Sequence, residues 1–187
     1  MSLMSNFSRW LIRKLRAEKK AKILILGLDA AGKTTLTKFV NTGTFQAGLT
    51  PTIGQNIDTI NFEGWDITTV DVAGQHQFRF LWDIHYPGCS AVIFVIDAAD
   101  IERLPEARDI LRVHVVNNVL LEKVPALILA NKQDLPAAIQ APMMIQLLNL
   151  HLDMVDRTFA VFDCSALTGK GVVEAFTWLV YQLEASK

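Results

Sequence analysis

Residues 27–34 read Gly-Leu-Asp-Ala-Ala-Gly-Lys-Thr, which fills every fixed position of G-x-x-x-x-G-K-[ST]. Before them, Ala21-Lys22-Ile23-Leu24-Ile25-Leu26 is a short apolar run that reads as a buried strand. After them, Thr35 to Val40 reads as the start of a helix. Glycine tolerates backbone angles that residues with a Cβ resist, so successive N–H groups of such a turn can point inward at an anion. The helix that follows adds its positive dipole end. Asp29, Ala30, Ala31, Gly32, Lys33, Thr34 and Thr35 are therefore the candidate phosphate-binding residues. Lys33 is placed to reach the β- and γ-phosphates, and the Thr34 hydroxyl to ligate Mg²⁺.

A second string, Asn131-Lys132-Gln133-Asp134, follows the apolar run Pro125 to Ala130. That puts it at the carboxyl end of a strand, where open α/β sheets bind ligands. Two carboxylate oxygens on Asp134 can accept from the ring N1–H and exocyclic amine of guanine, a donor pair that adenine lacks. A buried carboxylate left without those donors is penalised, which rejects the wrong base. The Lys132 stem can lie along the base plane. Cys164-Ser165-Ala166-Leu167 follows another strand-like run, Arg157 to Asp163, and a backbone N–H near Ala166 is expected to donate to the guanine O6.

Between these strings lie candidates for sensing the γ-phosphate. Asp71-Val72-Ala73-Gly74-Gln75 fits D-x-x-G-Q after the strand Ile67 to Val70. Asp71 is expected to hold Mg²⁺ through a water, Gly74 N–H to meet the γ-phosphate, and Gln75 to orient the attacking water. Upstream, Thr52 in Thr50-Pro51-Thr52-Ile53-Gly54 supplies a second hydroxyl for the metal.

These strings resemble those of the small GTPases, and among them the Arf and Arf-like family, over essentially the whole chain. Gly27 to Thr35, Pro51-Thr52-Ile53-Gly54, Asn131-Lys132-Gln133-Asp134 and Cys164-Ser165-Ala166-Leu167-Thr168-Gly169 carry the resemblance, with Leu81-Trp82 and the short Thr52-to-Asp71 connection. It implies a guanine-nucleotide switch in membrane trafficking, with an exchange factor, a GTPase-activating protein and effectors meeting its switch regions. Four positions depart from the family pattern. Ala73 gives A-G-Q where Arf proteins carry G-G-Q, Gln55 stands where an aromatic commonly follows P-T-x-G, and the aromatic trio read by Arf effectors is rebuilt as Gln55, Val70 and His85. His76 and His85 have no ligand-spaced partners and are expected to be surface residues of the switch.

The expected fold is α/β: the P-loop NTPase fold of small GTPases, a six-stranded mostly parallel sheet with helices on both faces. Strands are predicted near 21–27, 55–62, 65–71, 90–97, 125–130 and 158–163, and helices near 33–41, 101–121, 141–150 and 171–185. Glu63-Gly64 reads as a hairpin turn that makes the second and third strands antiparallel. Two cysteines, Cys89 and Cys164, fit a reduced cytosolic protein. No run reaches a membrane span and no signal peptide is evident.

The net charge of −1 conceals an asymmetry. Residues 1–22 hold seven basic side chains and one acid, while the remainder carries −7. At 100° per residue, Leu3, Met4, Phe7, Trp10, Leu11 and Leu15 fall within an arc of about 140°, with Arg9, Arg13 and Arg16 opposite. Ile12 falls outside that arc and Lys14 inside it, where it must snorkel. The pattern suits an interfacial helix on anionic lipid, or one packed on its own domain. By resemblance, a similar helix docks on the core in one nucleotide state and on membrane in the other. Residues 1–20 are thus read as an N-terminal amphipathic helix and 21–187 as the GTP-binding domain. Ser2 replaces the glycine that myristoylation requires, and Leu183-Glu184-Ala185-Ser186-Lys187 has no prenylation cysteine.

The sequence therefore points to a cytoplasmic, Mg²⁺-dependent GTP/GDP switch that binds a membrane peripherally through residues 3–16 and does not bind nucleic acid. The alternative is a GTP-locked scaffold with little hydrolysis; a nucleoside kinase is opposed by Asn131-Lys132-Gln133-Asp134. Base choice is tested directly by competition against labelled GTP. GDP should displace it far better than ATP, and Asp134→Asn should shift preference toward xanthine nucleotides; equal displacement by ATP would sink the assignment.

Overall fold

In a computed structural model, residues 19–48, 52 and 54–186 are described. Strands β1 (Lys19–Leu26), β2 (Gln55–Phe62), β3 (Trp65–Val72), β4 (Ala91–Asp97), β5 (Ala126–Asn131) and β6 (Phe159–Asp163) form one six-stranded sheet. Their spatial order is β2-β3-β1-β4-β5-β6. Only β2 and β3 pair antiparallel. Their hairpin turns at Glu63 (φ 48°) and Gly64 (φ 81°), two successive left-handed residues whose twist suits flanking strands.

Period-two alternation sorts the apolar strand residues onto two cores. Ile23, Ile25, Ile67, Ile93, Val95, Leu127 and Leu129 face α1 (Lys33–Thr42) and the long C-terminal helix α6 (Val172–Ala185). Leu24, Leu26, Val70, Val72, Val92, Phe94 and Ile128 face α2 (Phe80–His85), α3 (Leu104–Leu111) and α4 (Ala141–Leu147). Both faces of the central strands are covered, which is why β4 and β5 read as unbroken apolar runs.

The strand predictions agree with the structure to within two residues. β1 begins at Lys19, so Lys19 and Lys20 belong to the sheet and not to an N-terminal helix. The amphipathic segment 3–16 lies outside the described residues. The predicted helix 101–121 is broken into a 3-10 turn, α3, a π-helical turn at Arg112–Val116 and a second 3-10 turn. The cause lies far along the chain: Arg157 donates to Val115 O at 2.6 Å and to Val124 O at 2.9 Å, while Asn117 N–H closes back on Arg112 O. Three valines in 113–116 further disfavour regular helix. The predicted helix 141–150 divides at Asn149, which adopts φ 54°, and resumes as α5 (Leu150–Asp153). Residues 76–85, to which the sequence assigns no element, form a 3-10 turn (His76–Phe78) and α2.

The carboxyl ends of the strands lie together. β1 runs directly into the phosphate loop, β3 delivers Asp71, and Asp97 of β4 is in register with Asn131 of β5. Every nucleotide motif named in the sequence thus leaves the sheet at one edge.

Candidate functional site

Asp29, Ala30, Gly32, Lys33, Thr34, Thr35, Thr52, Ala73, Gly74 and Gln75 line a single cleft of about 270 Å³. Residues of the phosphate loop, Thr52 of the first-switch string 50–54 and Ala73 to Gln75 of the second switch thereby share one cleft.

Lys33 opens α1 and is nearly buried. Its ammonium donates to Gly27 O at 3.0 Å and Leu28 O at 2.8 Å, and burial pushes its pKa down to about 8, against the attraction of Asp71 and Asp29. A cation held this far from water fits a phosphate ligand, whose negative charge would favour the ammonium form.

Three oxygens meet beside it. Thr34 Oγ1 donates to Asp71 Oδ2 at 2.6 Å and lies 2.7 Å from Thr52 Oγ1, which is 3.4 Å from the same carboxylate oxygen. Asp71 is 1% exposed, its other oxygen Oδ1 is buried with no hydrogen-bond partner, and burial raises its pKa. An all-oxygen set with one unsatisfied buried carboxylate oxygen beside two cleft-lining hydroxyls fits Mg²⁺, which takes one or two protein oxygens and completes its shell with phosphate and water.

The second switch is seated directly on the phosphate loop. A Cβ added to Gly74 would stand 2.4 Å from Asp29 N and Gly27 O, so this contact admits only glycine. Gln75 begins the 3-10 turn with extended backbone and reaches Gln77 Nε2 through its own Oε1.

Asn131 ties the base-reading side to this cleft. Its Nδ2 donates to Ala31 O at 2.8 Å, and its Oδ1 accepts from Ala166 N–H at 2.9 Å. It is also the reason position 32 requires glycine, since a Cβ there would fall 2.3 Å from Asn131 Nδ2. The Ala166 N–H expected to meet guanine is engaged by Asn131 in this arrangement. Asp134 accepts from Ser165 Oγ at 2.5 Å, which orients its carboxylate. Lys132, at φ 67°, pairs its ammonium with Asp97 Oδ2 at 2.5 Å. Leu167 is partly exposed at the same loop.

The histidines divide. His76 is exposed as expected, but His85 is only 9% exposed, with its Nε2 in a short contact to Gln55 Oε1. The surface expectation fails for His85 because α2 turns Trp82, His85 and Tyr86 inward and leaves Phe80 and Ile84 in solvent. Val70 is buried, so Gln55 and His85 are joined across the switch face without it. Sequence reasoning also missed Arg79, Asp97, Arg103 and Glu106. Asp97 carried a usable signal, a carboxylate at a strand's carboxyl end; the others lie outside any motif.

The ADP-ribosylation factor family model matches residues 7–183. ADP-ribosylation factor K of Dictyostelium discoideum is 37% identical over 97% of this chain and 95% of its own length, and ADP-ribosylation factor J of the same organism is 36% identical over the same shares. The structure of the Arl6 BBS3 small GTPase from Trypanosoma brucei with bound nucleotide analogue GppNp is similar with a TM-score of 0.84 at 31% identity, over 90% of this chain and 100% of that one. The mammalian SRP receptor is similar with a TM-score of 0.77 at 22% identity, over 86% and 98%, a likeness of fold alone. With the family model matching nearly its whole length, this chain belongs to the ADP-ribosylation factor family of small GTPases.

Proposed function

We propose that this chain is a guanine-nucleotide switch that binds GTP and GDP with Mg²⁺, hydrolyses GTP slowly, and couples its nucleotide state to reversible membrane association and effector recruitment. The observation that carries this reading is that Thr34 and Thr52, which line the cleft with Lys33, Gly74 and Gln75, bring their hydroxyls together with the buried Asp71 carboxylate.

In this reading Lys33 and the loop N–H groups of 29–35 hold the phosphates, and Asp134 with Lys132 selects guanine. Asn131 and Ser165 keep those loops in place, and Leu167 borders the base. Thr34 and Thr52 would ligate Mg²⁺ directly and Asp71 through a water; the ion supplies charge neutralisation on the phosphate oxygens. Gly74 N–H reports the γ-phosphate, and Gln75 orients water for in-line attack.

Slow hydrolysis without a partner is expected because, among the described residues, Lys33 is the one cation lining the cleft. Residues 42–52 contain no arginine. Arg79 and Arg103, the arginines nearest the cleft's walls, are both bound to Glu106. The GTP-locked scaffold predicts no hydrolysis even with an activating protein.

Effectors, an exchange factor and an activating protein are assigned to the switch face. Ile57, Phe80 and Ile84 are exposed there beside the Gln55–His85 pair. Membrane attachment is assigned to residues 3–16, and the protein is placed in the cytoplasm with peripheral binding in the GTP state. Among the described residues no helix is long and apolar enough to cross a membrane. By analogy with Arf proteins, the β2–β3 hairpin slides along the sheet when GTP replaces GDP and expels the amphipathic segment. A slide of two residues preserves the face of every side chain, which makes it physically tolerable.

Single-turnover hydrolysis tests the enzyme assignment. Wild type alone should turn over far below about 1 s⁻¹, an arginine supplied in trans should add on the order of 10³–10⁵-fold, and Gln75→Leu should bind GTP but lose hydrolysis. Rapid partner-free turnover, or full activity in Gln75→Leu, would contradict it. Liposome flotation tests the coupling: anionic vesicles should retain more protein with a GTP analogue than with GDP, less at high salt, and little after Phe7→Glu. Each basic residue near the surface contributes about 1 kcal/mol. Equal flotation in both nucleotide states would remove the coupling.

A further inference from the structure

Both peptide groups flanking Gly74 are held from behind the cleft. Ala73 O accepts from the indole N–H of Trp82 at 3.2 Å, and Gly74 O accepts from Arg79 Nε at 3.0 Å. In a trans peptide the C=O and the following N–H point in opposite directions. Fixing Ala73 O therefore aims Gly74 N–H the other way, and fixing Gly74 O sets the plane from which Gln75 departs. Trp82 is wholly buried and Arg79 is 8% exposed, so neither competes with water for these carbonyls.

Arg79 is itself restrained. Its Nη2 donates to Glu106 Oε1 at 2.8 Å, and the other Glu106 oxygen accepts from Arg103 Nε at 3.3 Å. Arg103 Nη2 then donates to Asp29 Oδ1 at 2.8 Å, and its Nη1 lies 3.4 Å from Asp29 O in the phosphate loop. The hydrogen bond from Arg79, aided by Arg103, holds the Glu106 carboxyl below the usual carboxylate range, and Arg103 does the same for Asp29. A continuous series of charge-assisted hydrogen bonds thus runs from the second switch, across the first turn of α3, to the phosphate loop.

We propose that Arg79, with its guanidinium held by Glu106, is a positioning residue for Gly74 and Gln75, and that the Arg79–Glu106–Arg103–Asp29 series couples the seating of the second switch to the phosphate loop. This rests on the guanine-nucleotide reading above. Glu106 sits on a helix packed into the core and is the fixed point of the series. Gly74 and Asp29 are its two ends, and both line the cleft. The series is present here with Gly74 lying against the phosphate loop, and on this proposal it favours the γ-phosphate-bound state over the GDP state. Arg103 also draws the Asp29 carboxylate, which would repel a polyphosphate, toward the α3 side.

The test uses the full chain in Mg²⁺ with fluorescent GDP and a fluorescent non-hydrolysable GTP analogue, together with single-turnover GTP hydrolysis. Glu106→Gln and Arg79→Lys should each lower affinity for the GTP analogue relative to GDP by about tenfold, within the usual range of coupling between sites. Each should slow hydrolysis and leave GDP affinity within about twofold. The double variant should be no worse than the poorer single one, because both break one series. Equal losses for the two nucleotides would mark a merely structural role and overturn the proposal, as would an unchanged ratio. Should Arg79→Lys fail to fold, Glu106→Gln, at a part-exposed position outside the cleft, carries the same reading. A wild-type chain that binds no guanine nucleotide overturns the functional reading and this inference together, whereas binding and hydrolysis with indifferent variants overturns the inference alone.

Discussion

Burying the Asp71 carboxylate makes three distant parts of the chain depend on one another. It pairs with Ile25 of β1 and Asn56 of β2 in the sheet, and it accepts from Thr34 at the head of α1 and Thr52 of the first switch. A buried acceptor without a partner costs about 1–3 kcal/mol, and Asp71 Oδ1 has no protein donor. The two hydroxyls and the orphaned oxygen together favour a ligand that supplies positive charge, which is the role the account gives to Mg²⁺. Thr52 joins this cluster through its hydroxyl, 2.7 Å from Thr34 Oγ1 and 3.4 Å from the carboxylate.

Around this point the fold works through backbone groups held by side chains from elsewhere. Asn131 bridges the phosphate loop to the Ala166 loop, and Ser165 steadies Asp134. Trp82 and Arg79 hold the second switch from behind. Lys33 donates to two carbonyls of its own loop. The positions that demand glycine mark where these pieces touch: Gly32 against Asn131 and Gly74 against the phosphate loop.

Much of this was legible in the sequence because its signals are local. Apolar runs marked β1 and β5, Glu63-Gly64 marked the hairpin, and the motif residues lie on one cleft and its adjoining loops. What escaped was decided by contacts between distant residues. The helix predicted over 101–121 breaks because Arg157 takes the carbonyl of Val115. α2 exposes Phe80 and Ile84 while burying His85, the reverse of what hydrophobicity suggests, because Gln55 offers the imidazole a partner. Arg79 and Glu106 are 27 residues apart and carry no pattern that pairs them.

The most direct test of the account asks whether Thr52 joins the metal site only in the GTP state. Affinities of wild type and Thr52→Ala for a GTP analogue and for GDP, each with Mg²⁺ and with chelator, give the answer. The account predicts that Thr52→Ala weakens the GTP analogue by roughly tenfold, that this loss disappears in chelator, and that GDP affinity is nearly unchanged. Equal weakening of both nucleotides, or a loss indifferent to Mg²⁺, would contradict it.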